Sequence, residues 1–301
     1  MASFDPLWLD SQYNNRALVA DHARHFMQWA EASDDARAAH PHTLDVAYGS
    51  DASEKLDVFP AAAAAKAGKK GAPVVVFLHG GYWRSLDKSD HSFIAPAFTN
   101  QGACVVVPNY ALCPAVTIPQ IVMQMVRALA WVYQHVHLYG GDRDRITVIG
   151  HSAGGHLAAM LLVCDWQLYA KGLSGAASAK LPANLVKGAL SISGLYDLEP
   201  LMHTPFLQSS LQLNPQQVRM ASPALLPKPN AGVLYSVAGA DESPEFIRHN
   251  QLIQTRWGKK IVPVCELIAG RNHFSVLEDL VSPWEHLHQL ASKLIFGIQP
   301  A

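Results

Sequence analysis

Three residue types recur in this chain in an arrangement that could perform acyl transfer: a serine between glycines, an acid after it, and a histidine after that. The serine is Ser152, in "ITVIGHSAGGHLAAM". A bare Gly-x-Ser-x-Gly is a weak signal, but here an apolar run, Ile146, Val148 and Ile149, leads into it and an apolar helical pattern leads away. A tight strand-to-helix turn needs small residues around the serine so that its hydroxyl stands clear. Gly150 and Gly154 meet that need. A serine hydroxyl is a poor nucleophile alone and requires a base, which in turn requires an orienting acid.

When such a turn tops a parallel sheet, the acid and then the histidine follow the serine in the chain. Among the later histidines, His273 in "CELIAGRNHFSVLEDL" directly follows a strand-like run, whereas His286 and His288 fall inside the last amphipathic pattern. His273 is the expected base. Asp241, after "GVLYSVAGA", and Asp197, after "GALSISGLY", both end strand-like runs, where sites of open α/β sheets gather. Asp241 precedes the histidine strand by one strand and is the expected acid. Glu242 is adjacent but has a longer arm, and Asp197 is expected to shape the substrate pocket at the base of a cap.

The transition state needs N–H donors aimed at a developing oxyanion. Ala153, after the nucleophile, supplies one. The others are expected from the loop after the third strand, "HGGYW", with Gly81 and Tyr82 as donors and Gly80 as a further candidate. Tyr82 and Trp83 are then expected to wall a small acyl pocket, with Phe26 or Trp29 and the cap holding a larger aromatic leaving group.

These residues need a scaffold. "TLDVAYG" and "KLDVFP" alternate like an antiparallel pair, while "PVVVFLHG", "ACVVVPNY", "RITVIGHS", "KGALSISG", "AGVLYSVAG" and "VPVCELIAG" are dense enough to be buried on both faces. Helical patterns lie between most of them. One places Ile121, Met125, Leu129 and Val132 on a single stripe, and "AGGHLAAMLLVCDW" is apolar nearly all round. The pattern predicts an α/β fold with a mostly parallel eight-stranded sheet covered on both faces. Residues 1–40 are expected to form an amphipathic helix, with Leu18, His22, Phe26 and Trp29 on one side, packing on the domain. Residues 60–73 read as an exposed connection and 195–230 as a cap insertion. The whole chain, 1–301, is expected to be one domain.

Bulk composition excludes several classes. With 301 residues, 50% apolar and 16% charged, the chain can bury a large core, and a formal net charge of −1 offers no field for nucleic acid. No run of about 18 apolar residues is present to span a membrane, and the first residues lack the features of a secretory signal. The four cysteines, Cys104, Cys113, Cys164 and Cys265, are scattered without a CxxC pair, as expected of thiols in the cytoplasm. The histidine pairs His40/His42, His135/His137 and His286/His288 lack the carboxylate and third ligand of a catalytic zinc site. No metal or other cofactor is expected. The expected partner is a small-molecule substrate, without nucleic acid or membrane, and a homodimer is left open.

Taken with "YNNR" and "DVAYG" near the start, "HGGYW", "GHSAGGH", "SGLYDLEP", "GADESPEF" and "NHFSVLEDL" resemble the kynurenine formamidase (arylformamidase) branch of the α/β-hydrolases, close to the hormone-sensitive-lipase-like esterases. The resemblance covers almost the whole chain. It implies an α/β-hydrolase fold and cleavage of N-formylkynurenine or small aryl esters. Where those esterases carry Tyr-Arg-Leu-Ala-Pro-Glu after the fourth strand, this chain has "YALCPA", without either charge. A general carboxylesterase or xenobiotic amidase is the enzymatic alternative, and a binding protein of hydrolase fold without catalysis is the other.

Overall fold

In the computed structural model, which describes residues 5–62, 71–172 and 181–297, eight strands form one sheet in the order β1-β2-β4-β3-β5-β6-β7-β8. The first two, β1 (Thr43–Ala47) and β2 (Lys55–Phe59), pair antiparallel, and β2 joins β4 antiparallel. From there β4 (Cys104–Pro108), β3 (Ala72–Leu78), β5 (Gly141–His151), β6 (Val186–Ile192), β7 (Val233–Gly239) and β8 (Val264–Ile268) run parallel. All seven residues of β3 are buried, as the run Val74-Val75-Val76-Phe77 requires of a strand with both faces covered. One strand departs from expectation. β8 is an edge of the sheet and is only partly covered, with Glu266 and Leu267 exposed.

The helices divide between the two faces. On one lie α5 (Ile118–His135), α6 (Ala153–Leu162), α7 (Trp166–Lys171) and α11 (Pro244–Trp257). On the other lie α3 (His22–Ala39), α4 (Ala95–Thr99), α12 (Val276–Val281) and α13 (His286–Phe296). The sequence of α5 accounts for its limits. Thr117 and Gln120 form a reciprocal capping box, Pro119 sits in the first turn, and the chain leaves through Gly140 in a left-handed conformation. Its stripe of Ile121, Met125, Leu129 and Val132 is fully buried, worth roughly 1.5–3 kcal/mol for each large side chain. All ten residues of α6 are buried, which fixes the helix behind Ser152.

The N-terminal segment is three helices rather than one: α1 (Pro6–Tyr13), α2 (Asn15–Leu18) and α3. Leu18 ends α2 and is exposed, while His25, Trp29, Ser33 and Ala36 form the buried line of α3. The segment expected to be a cap is α8 (Glu199–Met202), α9 (Pro205–Leu211), α10 (Pro215–Ala221) and a 3-10 turn at Pro223–Leu225. It is tied into the main core through Leu198, Leu201, Leu207, Leu211, Leu213 and Val218. Most of the stretch read as an exposed connection, residues 63–70, lies outside the described residues.

Five buried histidines, His79, His91, His151, His156 and His249, all have side chains held below the ordinary imidazole pKa, chiefly by desolvation. His91 falls to about 3 and His156 to about 4. An unfolded chain binds these protons at about pH 6.5 and the folded one does not, so stability is present above that pH and is lost below it. His91 and His156 alone should remove about 2 kcal/mol between roughly pH 6.5 and 5.5, and the other three act in the same direction. Urea unfolding midpoints measured at the two pH values should show this fall; an unchanged midpoint would contradict the burial of neutral imidazoles.

Candidate active site

At the C-terminal end of β5 the chain turns sharply into α6, and Ser152 stands at the turn with φ 57° and ψ −117°. This is a strained conformation for a residue with a side chain. It is enforced from both sides: a Cβ on Gly150 would lie 2.0 Å from the Gly154 carbonyl oxygen, and one on Gly154 would lie 1.9 Å from that of Leu78. The Ser152 N–H donates to the Ile192 carbonyl at 2.8 Å and its own carbonyl accepts from His156, so the turn is pinned to β6 and to α6.

His273 lies in the loop between β8 and α12, with Nε2 3.1 Å from Ser152 Oγ. Its Nδ1 is 2.7 Å from Glu242 Oε2. The acid beside the histidine is therefore Glu242, not Asp241. Beyond Gly239 the backbone makes a tight turn, in which the Glu242 N–H approaches the Gly239 carbonyl at 3.3 Å and the Asp241 N–H donates to Arg271. That turn sends the Asp241 side chain to solvent and folds Glu242 back over the end of β7. The longer arm is what the geometry uses. Glu242 Oε1 accepts from Ser193 Oγ at 2.5 Å and from the Gly239 N–H at 2.7 Å, which leaves Oε2 for the imidazole. Its side chain is fully buried.

Asp197 also departs from its expected place. It opens the cap, accepts from the Glu199 N–H and stands 3.9 Å from Arg248, outside the cavity wall. Trp83 is likewise not a wall of the cavity. It is fully buried in the core, edge-on to His156 at 4.9 Å between ring centres. Of "GGYW", Gly81 and Tyr82 line the cavity and Gly80 and Trp83 do not.

Gly81, Tyr82 and Trp83 all have positive φ, 99°, 51° and 55°. A Cβ on Gly81 would lie 2.1 Å from the Ser85 carbonyl oxygen, so glycine is required there. Among the described residues no protein acceptor takes the N–H of Gly81, Tyr82 or Ala153. Gly80 lies beneath, its carbonyl engaged by His79 and Tyr110. The Tyr82 hydroxyl donates to the Tyr13 carbonyl at 2.7 Å, and burial, with the Glu242 charge second, holds that phenol well above its ordinary pKa. The Tyr13 hydroxyl in turn donates to Glu245 at 2.6 Å, whose carboxylate also receives two hydrogen bonds from Arg248. These contacts clasp the first helices to α11.

A cavity of about 510 Å³ opens over Ser152 and His273. Phe26 and Trp29 of α3, Tyr82, Phe206 of α9 and Phe274 give it an aromatic wall, and Asn15, Arg16, Arg84, Ser85 and Ser210 a polar one. The leaving-group residues expected from α3 and the cap are thus present. His151, which the sequence reading did not single out, lines the floor with Nε2 2.7 Å from the His273 carbonyl. Its pKa is lowered well below the ordinary value by burial and then by His273. It is a neutral support for the loop that carries the base. The paired histidines near the C-terminus diverge: His286 meets Glu266, while His288 meets the Leu280 carbonyl and Gln101.

The family model BD-FAE matches residues 56–226. The kynurenine formamidase of Salmo salar is 31% identical over 95% of this chain and 93% of its own length, and that of Danio rerio is 31% identical with the same coverage of both chains. Esterase LipQ of Mycobacterium tuberculosis is 31% identical over 69% of this chain and 48% of its own. Among solved structures, a candidate thioesterase from Silicibacter sp. TM1040 superposes with a TM-score of 0.77 at 27% identity, covering 96% of this chain and 98% of that one. Esterase B of Lactobacillus rhamnosis shares the fold, with a TM-score of 0.66 at 17% identity over 94% of this chain and 95% of its own.

Proposed function

Because the chain belongs to the kynurenine formamidase family of α/β-hydrolases and to the BD-FAE family, and is a hydrolase, we propose that it cleaves small aryl formamides, of the N-formylkynurenine type, and short-acyl aryl esters through an acyl-enzyme on Ser152. The observation that carries the reading is the continuous path from Ser152 Oγ through His273 to Glu242 at the floor of an aromatic cavity. His273 Nε2 takes the Ser152 proton as Oγ attacks the carbonyl carbon. The oxyanion that forms faces the N–H groups of Ala153, Gly81 and Tyr82, which have no other acceptor to surrender. The imidazolium, steadied by Glu242, then gives its proton to the departing aryl nitrogen or oxygen as that bond breaks. Water enters, loses a proton to His273 and releases the acyl group as a carboxylic acid, restoring the Ser152 hydroxyl. The free thiols Cys104, Cys113, Cys164 and Cys265 suit a reducing compartment, which supports our proposal of a cytoplasmic location.

Acyl length separates this reading from a general esterase. Near Ser152 the cavity is bounded by Gly81 and Tyr82, both in a turn of positive φ, with Tyr82 tied to Tyr13. Such a wall cannot retreat, so each added methylene meets an overpacking cost, in total about 1–3 kcal/mol, rather than the roughly 0.8 kcal/mol gain of a roomy apolar pocket. For one aryl alcohol esterified with formyl to hexanoyl chains, and for the matching aryl formamide, kcat/KM should peak at the shortest acyl groups and fall steeply by butyryl. A steady rise to hexanoyl would favour the general carboxylesterase.

A further inference from the structure

A separate cavity of about 470 Å³ also borders His273 and Glu242. Its walls are the end of α1, α2 with the turn that follows it, the turn after β7 and the loop after β8. Two residues, Asn15 and His273, line both this cavity and the one over Ser152, so the base borders each of them. The lining of the smaller cavity is polar and incompletely satisfied. Ser243 is the N-cap of α11, yet its side chain makes no capping bond, and its buried Oγ has no hydrogen-bond partner among the described residues. The same is true of Gln12 Oε1. A serine at an N-cap ordinarily satisfies a helix N–H, and a buried polar atom left without a partner is costly. In a cavity of this size, water is the partner that serves both, and Asn15 is a further polar group for it. Charge decides what else can pass. No lysine or arginine lines the cavity, whereas Asp21, Asp241 and Glu242 do. Such walls repel an anion, so they make a poor exit for a carboxylate product and admit neutral water.

We propose that this second cavity is the water-binding site that supplies deacylation, delivering the hydrolytic water past Asn15 to His273 while an aryl group still occupies the cavity over Ser152. The site rests on the acyl-enzyme reading above and deepens it. In the step it serves, the water oxygen adds to the acyl carbon and His273 Nε2 takes one of its protons. The bond from that carbon to Ser152 Oγ then breaks, the imidazolium returns the proton to Oγ, and the acyl group leaves as the acid. Acylation uses no water, so it does not depend on the site. The aromatic wall of the main cavity makes a separate route useful, because a ring held against Phe26, Trp29 and Phe206 obstructs water from that side.

The test plugs the second cavity and separates the two chemical steps. Ala20 and Leu18 line it and are exposed, so Ala20→Trp and Leu18→Trp can fill its mouth without entering the core. Ala17→Trp, on the same short helix but lining neither cavity, is the control. Each full-length protein is mixed with saturating 4-nitrophenyl acetate. The initial release of nitrophenolate gives the acylation rate. Intact-protein mass spectrometry of quenched samples gives the fraction acetylated, and the steady-state rate divided by that fraction gives the deacylation rate. In the plugged variants deacylation should slow by about tenfold and the acetylated fraction should rise, while acylation stays within about twofold of the wild type. Ser243→Ala, which removes one polar partner of the water, should slow deacylation by a smaller factor, and Ala17→Trp should change neither step. If one plugged variant fails to fold, seen by circular dichroism, the other carries the comparison. Unchanged deacylation in a folded plugged variant, or an equal fall in both steps, would overturn the proposal. Absence of any acetyl-enzyme in the wild type would instead count against the acyl-enzyme reading itself, and this proposal would fall with it.

Discussion

Replacing Ser152 with alanine should lower kcat on a short-acyl aryl ester by roughly four to six powers of ten. Nucleophile and base act as a unit, so removal of Oγ leaves His273 with nothing to deprotonate except water. The loss should be confined to kcat, because the cavity wall is formed by Phe26, Trp29, Tyr82, Phe206 and Phe274, and Ser152 contributes little surface to binding. The fold should persist, since the elbow is held by the backbone bonds of residue 152 to Ile192 and His156 rather than by its hydroxyl. Stopped-time assays of the purified variant, with fluorophosphonate labelling of the wild type followed by peptide mapping, would check this. Retained turnover in the variant, or a label elsewhere, would remove Ser152 from the mechanism and readmit the reading as a binding protein.

Glu242→Gln should cost about 10⁴-fold in kcat, while Asp241→Asn should stay within about twofold of the wild type, as exposed substitutions generally do. Glutamine keeps the length of the arm and its bond to the Gly239 N–H. It loses the charge that steadies the imidazolium, and its amide can present an N–H to His273 Nδ1 and so select the wrong tautomer. Glu242→Asp should fall between the two, because an arm one methylene shorter cannot reach Ser193, Gly239 and His273 together. Measuring kcat for all three variants on one substrate decides the assignment. A crippled Asp241→Asn beside an active Glu242→Gln would return the role to Asp241 and refute the geometry of the β7 turn.

The elbow was legible in the sequence because its requirements are local. A buried strand, two glycines where backbones nearly touch and an apolar helix lie within about fifteen consecutive residues, and their spacing sets where Ser152 stands. The sheet was legible for a related reason: strands covered on both faces must be dense runs of apolar residues, and β3, β4, β5, β6 and β7 were. β8 was misjudged on the same criterion, since nothing in "VPVCELIAG" says whether a neighbour covers it. The order in which distant strands pair decides that.

Asp241 and Glu242 are adjacent in the chain, and sequence alone offered only the usual distance from a strand end to choose between them. The choice belongs to the turn after Gly239, whose course is set by hydrogen bonds to Ile268 and Arg271 on the neighbouring strand and loop. A one-residue difference in where a turn closes moves a side chain from solvent to the core. Trp83 illustrates the same point, because positive φ at Tyr82 and at Trp83 itself turns two adjacent side chains in different directions, one to the cavity and one to the core. Arg16 and Arg84 line one cavity yet lie 68 positions apart, and no local pattern marks either as facing it. The sequence by itself determined the nucleophile turn, the histidine after the last strand and the parallel α/β layers, because each depends on residues near one another in the chain. Only the tertiary structure decided which acid meets His273 and which aromatic rings face the cavity, because those choices are made by hydrogen bonds and burial between segments that the chain order keeps apart.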